Sequence, residues 1–129
     1  MQVYYFTRTG RSKAVAEELA EHYCTTAEEI VDDVDWQGAV GYIKAGYKAL
    51  IGEVGPARYK KPDDNEELIL VFPVWASTFP PAVRTFLKKE GRIRVICMPT
   101  SIGSKLKDRE GFIKVIDLVG KKIAAPVSI

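Results

Sequence analysis

Histidine and cysteine are scarce in this sequence, and their scarcity excludes several kinds of catalytic and metal site. The 129 residues contain one histidine, His22, and two cysteines, Cys24 and Cys97. A Ser-His-Asp triad or a zinc site would have to use His22, whose sequence context supports neither. The cysteines are far apart and form no CxxC pair, so neither a disulfide nor a metal site is indicated. We expect no metal ligands and no catalytic acid–base pair, and we expect Cys97, in an apolar run, to be a core residue.

Long apolar runs are absent as well. No stretch approaches the roughly 20 residues that a membrane-spanning helix needs, and the N-terminal MQVYYFT lacks the layout of a signal peptide. Hydrophobic residues make up 47% and charged residues 28% of the chain, as in ordinary globular domains. We therefore expect one domain over residues 1–129, in the cytoplasm and without membrane contact.

Charge of both signs is present, but it is unevenly distributed. The net charge is only +2, and it gives no indication of nucleic-acid binding. Residues 1–67 contain 8 Lys and Arg against 13 Asp and Glu, whereas residues 68–129 contain 11 against 4. Two interpretations stay open: ordinary solvated helix faces, or a polarised surface that orients a partner.

The hydrophobic pattern predicts alternating strands and helices. Val15, Leu19 and Tyr23 recur every four residues, which is typical of one helix face, and ELILVFPV is a continuous apolar strand. Strands are predicted at 2–6, 28–33, 67–74, 93–98 and 122–129. Helices are predicted at 12–23, at 37–51, after the prolines at 80 and 81, and around Phe112, Ile113, Ile116 and Val119. This alternation predicts an α/β fold with a parallel sheet between two helical layers.

The order of the strands can also be predicted. The two most apolar strands, 67–74 and 93–98, should be central, and the short charged strand 28–33 should lie at an edge. Pro126 cannot donate a ladder hydrogen bond, which favours an edge for the last strand too. The order 2-1-3-4-5 satisfies these constraints, although exchanging the first two strands is not excluded. In such a sheet the ligand crevice lies where the winding switches, beyond the carboxyl ends of strands 1 and 3.

Two unusual loops follow those strands. The first, Thr7-Arg8-Thr9-Gly10-Arg11-Ser12, feeds directly into a helix, whose free N–H groups and positive dipole end attract anions. It matches neither GxxxxGK[ST] nor GxGxxG, so the expected anion is a single phosphate monoester. The alternative is a polar turn followed by a Ser-capped helix. In the second loop, Trp75 is either a packing residue or a stacking surface for a planar ligand. A phosphate site beside an indole suits FMN.

These segments resemble the flavodoxins. FTRTGRSKAVAEELA is similar to their phosphate-binding pattern T-x-T-G-x-[ST], and LVFPVWASTFPPAVRTFL is similar to a second segment of flavodoxin-like proteins. GYIKAGYKALIG is also similar to the region of their second helix. The resemblance extends over most of residues 2–129 and implies a flavodoxin-like three-layer sandwich with a five-stranded parallel sheet of order 2-1-3-4-5.

The resemblance also implies which residues bind FMN. Three segments would contribute: the phosphate loop, the segment beside the ribityl chain and the ring, and the loop after the fourth strand. Their residues are Thr7, Arg8, Thr9, Gly10, Arg11 and Ser12; Pro73, Val74, Trp75, Ala76 and Ser77; and Thr100, Ser101, Ile102 and Gly103. Flavodoxins often stack an aromatic residue from the last loop, but no aromatic residue lies between Met98 and Gly111, so Ile102 would cover that side or leave it open.

Three functions follow as hypotheses. The first is an FMN-binding electron carrier, monomeric or weakly dimeric, that serves a redox partner protein and needs no catalytic residue of its own. The second is an NAD(P)H-dependent FMN or quinone oxidoreductase, which an open ring face would favour. The third is a domain that keeps the fold but binds a partner rather than FMN. The fold alone does not separate them.

Overall fold

A computed structural model describes residues 1–32 and 57–126 of the chain. In the described part of the chain, one helix follows the first strand and another separates the two central strands, as the apolar pattern predicts. In chain order they are β1 (Gln2–Tyr5), α1 (Arg11–His22), β2 (Ala27–Glu29), β3 (Leu68–Pro73), α2 (Pro81–Glu90), β4 (Val95–Ser101), β5 (Lys114–Val115) and β6 (Leu118–Val119). The predicted helix at 37–51 lies outside the described residues.

All described strands run parallel in one sheet. Its order is β2-β1-β3-β4-β5, and β6 also pairs with β4. The apolar strands β3 and β4 lie in the centre, and the charged strand β2 lies at an edge, so the predicted order 2-1-3-4-5 is confirmed. The core side chains of β3 and β4 are buried because helices cover the sheet on both faces.

Alternate residues of each central strand point to opposite helical layers. Tyr4, Leu70 and Cys97 belong to a buried cluster with Phe86 of α2. Val3, Ile69, Val71 and Met98 belong to a second cluster with Val15 and Leu19 of α1. The two helices therefore cover opposite faces. This period of two is what a pleated strand requires when both of its faces are buried.

The predicted helix around Phe112–Val119 is wrong, because this segment forms β5 and β6 at the sheet edge. Lys114 pairs with Ile96 and Leu118 pairs with Thr100, the same offset of 18 positions, so β5 and β6 are two parts of one interrupted strand. Val115 and Ile116 pack into opposite clusters, as neighbours in a strand do. Residues 122–126, predicted to begin the last strand, form no strand, and residues 127–129 lie outside the described part.

Candidate functional site

A cleft of about 250 Å³ lies beyond the carboxyl ends of β1, β3 and β4. It is where the sheet order predicts a ligand site, since the connections leave β1 and β3 toward opposite faces. Three segments that are distant in sequence meet there. The lining residues are Arg8, Thr9 and Arg11; Pro73, Val74 and Trp75; and Thr100, Ser101, Ile102, Gly103 and Ser104.

Most of the residues that the sequence suggests for FMN binding border this cleft, but five do not. The five that are not part of the lining are Thr7, Gly10, Ser12, Ala76 and Ser77. Thr100 and Ser101, expected in a loop, are instead the last residues of β4, which extends three residues beyond its predicted end. Their side chains are consequently fixed by the sheet rather than by a flexible connection.

The first loop turns sharply into α1 at Gly10. Gly10 is the N-cap residue and has φ 94° and ψ −6°, a left-handed conformation that L side chains disfavour. Its N–H donates to Thr7 Oγ1 at 2.9 Å, and its carbonyl accepts from the Ala14 N–H at 3.0 Å. No side chain caps the helix. The first-turn N–H groups, which have no acceptor within a helix, therefore lack the side-chain acceptor that Ser, Thr, Asp or Asn supplies at an N-cap.

Ser12 lies inside α1 and holds the helix to β4 instead of capping it. Its hydroxyl is 3.0 Å from Thr100 Oγ1, and both residues are buried, with 2% of their surface exposed. Thr100 Oγ1 is also 3.4 Å from the carbonyl of Phe72 in β3. This chain of hydroxyls fixes the start of α1 against the two central strands, so it sets the position of the whole first loop.

Replacing Thr100 by valine should destabilise the protein by about 1–3 kcal/mol, because the Ser12 hydroxyl would be left buried without its partner. Adding Ser12→Ala should recover part of that loss, since no unsatisfied hydroxyl then remains. A double-mutant cycle on the free energies of unfolding, measured with urea, checks this. Strictly additive losses would show that the two hydroxyls do not interact.

Arg11 connects α1 to the edge of the sheet. Its guanidinium donates to the carbonyl of Gly120, and the Gly120 N–H donates to the carbonyl of Ser101 at 2.9 Å. Because Arg11 and Ser101 both line the cleft, the end of β6 lies directly beside it. This contact could not be predicted from the sequence, because residues 112–119 have the spacing of a helix and Gly120 would then lie elsewhere.

The second loop is a tight two-residue turn. Trp75 and Thr78 exchange two backbone hydrogen bonds of 3.0 Å, and the residues between them, Ala76 and Ser77, have φ 53° and 61°. Two successive left-handed residues are typical of a type I′ turn, where Asn and Gly are preferred. Ala and Ser are strained there. The carbonyl of Ser77 also accepts the Lys107 N–H at 3.0 Å, which helps to hold the turn in place.

Replacing Ser77 by glycine should stabilise the protein by about 0.5–1 kcal/mol, because glycine takes a left-handed conformation without the Cβ penalty. The backbone contact to Lys107 is retained. The midpoint of urea unfolding at unchanged slope measures the effect. Ser104→Gly is the control, since Ser104 has no positive φ and the substitution should slightly destabilise the chain. A loss of stability in Ser77→Gly would contradict the strained turn.

Trp75 borders the cleft but is largely part of the core. Only 7% of its surface is exposed, and it packs edge-to-face against Phe6 with ring centroids 5.5 Å apart. Phe6 follows β1 directly, so the indole connects the first loop to the second. In this conformation the ring is a packing residue with one side at the cleft, rather than an open stacking surface.

Ile102 is the apolar residue that faces outward at the cleft. It is 67% exposed and follows β4 directly, next to Gly103 and Ser104. The Ser101 hydroxyl donates to the Ser104 carbonyl at 2.5 Å and makes the loop turn tightly. An exposed isoleucine at a cleft is available to cover the apolar face of a ligand.

Ion pairs stabilise the irregular connection at 102–113, in which the structure has no helix. Arg92 makes a bidentate pair with Asp108 at 2.7 and 2.8 Å, and this hydrogen bonding lowers the pKa of the Asp108 carboxyl. The guanidinium of Arg92 also lies 5.1 Å from the ring centroid of Phe79 and 4.9 Å from that of Phe112. The loop that carries Ile102 is therefore anchored at its far end.

The remaining groups that could carry chemistry lie elsewhere. Cys97 is completely buried in the core, as predicted, and burial raises the pKa of its thiol. His22 and Cys24 are exposed near the end of α1, far from the cleft along the helix. Within residues 1–32 and 57–126, no group of three or more His, Cys, Asp or Glu side chains is placed to hold a metal ion.

No helix in the described part of the chain combines the length and the hydropathy needed to cross a membrane.

Comparison with known proteins gives one relative in sequence. The chain is 32% identical over 98 residues to an uncharacterised protein of Archaeoglobus fulgidus. The match covers 76% of this chain but only 62% of that protein, so the chain spans less than two thirds of the length of this relative. No model of a known protein family matches the sequence.

Solved structures are similar over nearly the whole chain. A flavoprotein of Lactobacillus acidophilus in complex with FMN has a TM-score of 0.70 at 18% identity, over 92% of this chain and 90% of that one. Two proteins provisionally described as flavoproteins, from Bacteroides uniformis and Bacteroides eggerthii, have TM-scores of 0.72 and 0.71 at 20% and 17% identity. They are matched over 94% and 91% of this chain and 90% and 86% of theirs. The flavodoxin-like α/β fold is thereby confirmed.

Proposed function

We propose that the chain binds FMN in the cleft and acts as an electron-transfer protein. The observation that carries the proposal is an uncapped helix N-terminus in the same loop as the cleft residues Arg8, Thr9 and Arg11. A helix start without a side-chain cap offers its N–H groups and its dipole to an anion. The FMN complex of a structural neighbour supports the choice of ligand.

The residues present fit both ends of FMN. At one end the first-turn amides of α1 and the exposed Thr9 would hold the phosphate, with Gly10 supplying the turn that directs these amides to one side. At the other end Trp75 and Ile102 would border the ring. The described residues enclose about 250 Å³, slightly less than most small-molecule sites. Part of the ring would therefore extend beyond the cleft, where another protein could reach it.

Bound FMN would supply reversible one- and two-electron chemistry, and the chain would hold and tune it. None of the described lining residues is a carboxylate or a histidine, and the charged ones are the arginines at 8 and 11. This composition suits a carrier that binds and orients a cofactor better than an enzyme that moves protons. The positive charge of the arginines at 8 and 11 would also favour the phosphate of FMN at that end of the cleft.

Titration of the purified chain with FMN and with riboflavin tests the proposal. Riboflavin carries the same ring but no phosphate, so it isolates the contribution of the α1 amides. We expect FMN to bind at least tenfold more tightly than riboflavin, which corresponds to about 1.4 kcal/mol. Equal affinities would show that the phosphate is not held at this helix. If the chain bound neither flavin, the result would favour the third hypothesis, a domain that binds a partner rather than FMN.

A second candidate, an NAD(P)H-dependent FMN or quinone oxidoreductase, is favoured by one observation. Ile102 is aliphatic and 67% exposed where flavodoxins often place an aromatic ring, so a nicotinamide could approach that side. Steady NAD(P)H oxidation by the FMN-loaded chain with a quinone acceptor, and without added reductase, would favour this candidate. Electron delivery only through a partner protein would favour the carrier.

A further inference from the structure

Five lysines lie in the segments that follow β1, β4 and β6, at the same end of the sheet as the cleft but not among its lining residues. Lys13 lies in the first turn of α1, Lys105 and Lys107 follow β4, and Lys121 and Lys122 follow β6. All five are exposed, and none forms an ion pair with another described residue. We call these lysines the basic rim. The strands β1, β3, β4 and β6 are successive neighbours about 4.8 Å apart, so the rim spans roughly 14 Å.

Charge at the two ends of the sheet is organised differently. The residues that directly follow the carboxyl ends of β1, β3, β4 and β6 (6–13, 74–79, 102–107 and 120–126) contain seven Lys and Arg and no Asp or Glu. Farther along, the connection returns toward the amino end of β5, and there Asp108 pairs with Arg92. At the opposite, amino end of the sheet, cations form ion pairs with carboxylates. Lys61 and Arg94 each lie within 4 Å of both Asp64 and Glu90. Two cations are therefore paired at this amino end, where Lys88 and Lys89 are exposed as well, whereas none of the five lysines of the basic rim forms an ion pair with a described residue.

The placement of Lys13 opposes the stability of its own helix. The first turn of α1 contains Arg11 and Lys13 and no acidic residue, although the helix dipole favours acidic side chains there and disfavours cations. Helix α2 follows the usual rule, with Lys88 and Lys89 in its last turn. Arg11 and Lys13 are therefore unfavourable for the stability of α1 itself, and an anionic partner bound nearby would explain their presence.

The apolar residues next to the rim fit a protein partner. Ile102 and Val119 are 67% and 45% exposed and lie at the ends of β4 and β6, among the lysines. The exposed large hydrophobic residues of the described chain are all aliphatic, whereas single-stranded nucleic acids are bound by stacking on aromatic rings. Aliphatic residues inside a charged rim have the layout of a protein–protein interface.

We propose that the basic rim is a docking surface for a protein with an acidic patch, centred on the cleft. Exposed charges of one sign steer an oppositely charged partner and fix its orientation. A partner bound there would cover Ile102 and contact whatever the cleft holds. The surface requires no flavin, so it stands independently of the proposed cofactor.

Poly-L-glutamate serves as the acidic probe, and its binding to the full chain is measured by calorimetry. The rim variant Lys105→Glu/Lys121→Glu is compared with Lys88→Glu/Lys89→Glu, which changes the net charge equally at the opposite end of the sheet. We expect binding at about 0.01 M salt that weakens strongly by about 0.15 M, as the Debye length falls from about 30 to about 8 Å. The rim variant should bind at least tenfold more weakly, and the control should change less than twofold.

A third variant separates a loss of binding from a loss of folding. Lys13→Glu should melt at the same or a higher temperature, because it places an acidic residue at the start of α1, and it should still bind the probe more weakly. Equal losses in the rim and control variants, or no binding at low salt, would overturn the proposal. Tighter binding of a single-stranded oligodeoxynucleotide of equal charge, with the same dependence on the rim, would assign the surface to a nucleic acid and also overturn it.

Discussion

Replacing Gly10 by valine is expected to weaken FMN binding by about 10- to 100-fold. Gly10 has φ 94°, and a β-branched residue pays at least the roughly 1–2 kcal/mol that a left-handed conformation costs an ordinary residue. No atom lies within 4 Å of a Cβ built on Gly10, so the penalty comes from the backbone and not from a clash. The chain can relieve the strain by rotating this residue, which would turn the first-turn amides of α1 away from the phosphate. Flavin fluorescence titration measures the affinity.

Two controls identify the origin of that loss. Gly10→Asn should keep the affinity within a few-fold, because asparagine tolerates the left-handed conformation. Gly91→Val introduces valine at a second positive φ of 83°, at the end of α2 far from the cleft. It should lower the melting temperature but leave the FMN affinity of the folded protein unchanged. A folded Gly10→Val protein with normal affinity would show that this loop does not hold the phosphate.

The sheet could be predicted because its signals are strong and independent. β3 and the first five residues of β4 (95–99) form uninterrupted apolar runs, which are typical of strands buried on both faces. The charges of β2 indicate an edge, and the short connections between strands and helices restrict how the chain can wind. These local patterns agree with one another, and together they determine the strand order.

The far edge of the sheet could not be predicted because its pattern is ambiguous. Phe112, Ile113, Ile116 and Val119 recur every three or four residues, as on a helix face. The same segment contains β-branched residues and is bounded by Gly111 and Gly120, both with positive φ. A short apolar run can match both the period of a helix and the period of two residues that a strand has. Pairing with β4 makes the segment a strand, since the backbone N–H groups of Ile113, Ile116 and Gly120 donate to β4.

The location of the cleft was more predictable than the role of each residue in it. Parallel strands bring their carboxyl ends to one edge, so the loops at 7–12 and 74–79 had to be neighbours. Which side chains turn outward depends on contacts across the fold. Ser12 turns inward because Thr100 lies behind it, and Arg11 reaches Gly120 because β6 ends beside α1. Neither contact is visible in a pattern of nearby residues.

Replacing Trp75 by alanine is expected to lower the free energy of unfolding by about 3–5 kcal/mol, as for other buried aromatic residues. The indole is 7% exposed and packs with Phe6, so its removal leaves a cavity between the first two loops. Domains of this size are stabilised by only about 5–15 kcal/mol, so the melting temperature should fall markedly. Urea unfolding measures the change.

The FMN affinity of the same variant distinguishes a packing residue from a stacking surface. A stacked indole would contribute about 1–3 kcal/mol to flavin binding, by analogy with aromatic–base stacking, and little to the stability of the free chain. Trp75→Phe should retain most of the stability because an aromatic ring still fills the site. Ile102→Ala, at an exposed position of the same cleft, should change the unfolding free energy by less than about 0.5 kcal/mol. If Trp75→Ala instead lost flavin affinity while the stability of the free chain fell by less than about 1 kcal/mol, the indole would be a stacking surface, and its packing against Phe6 would contribute little to the core.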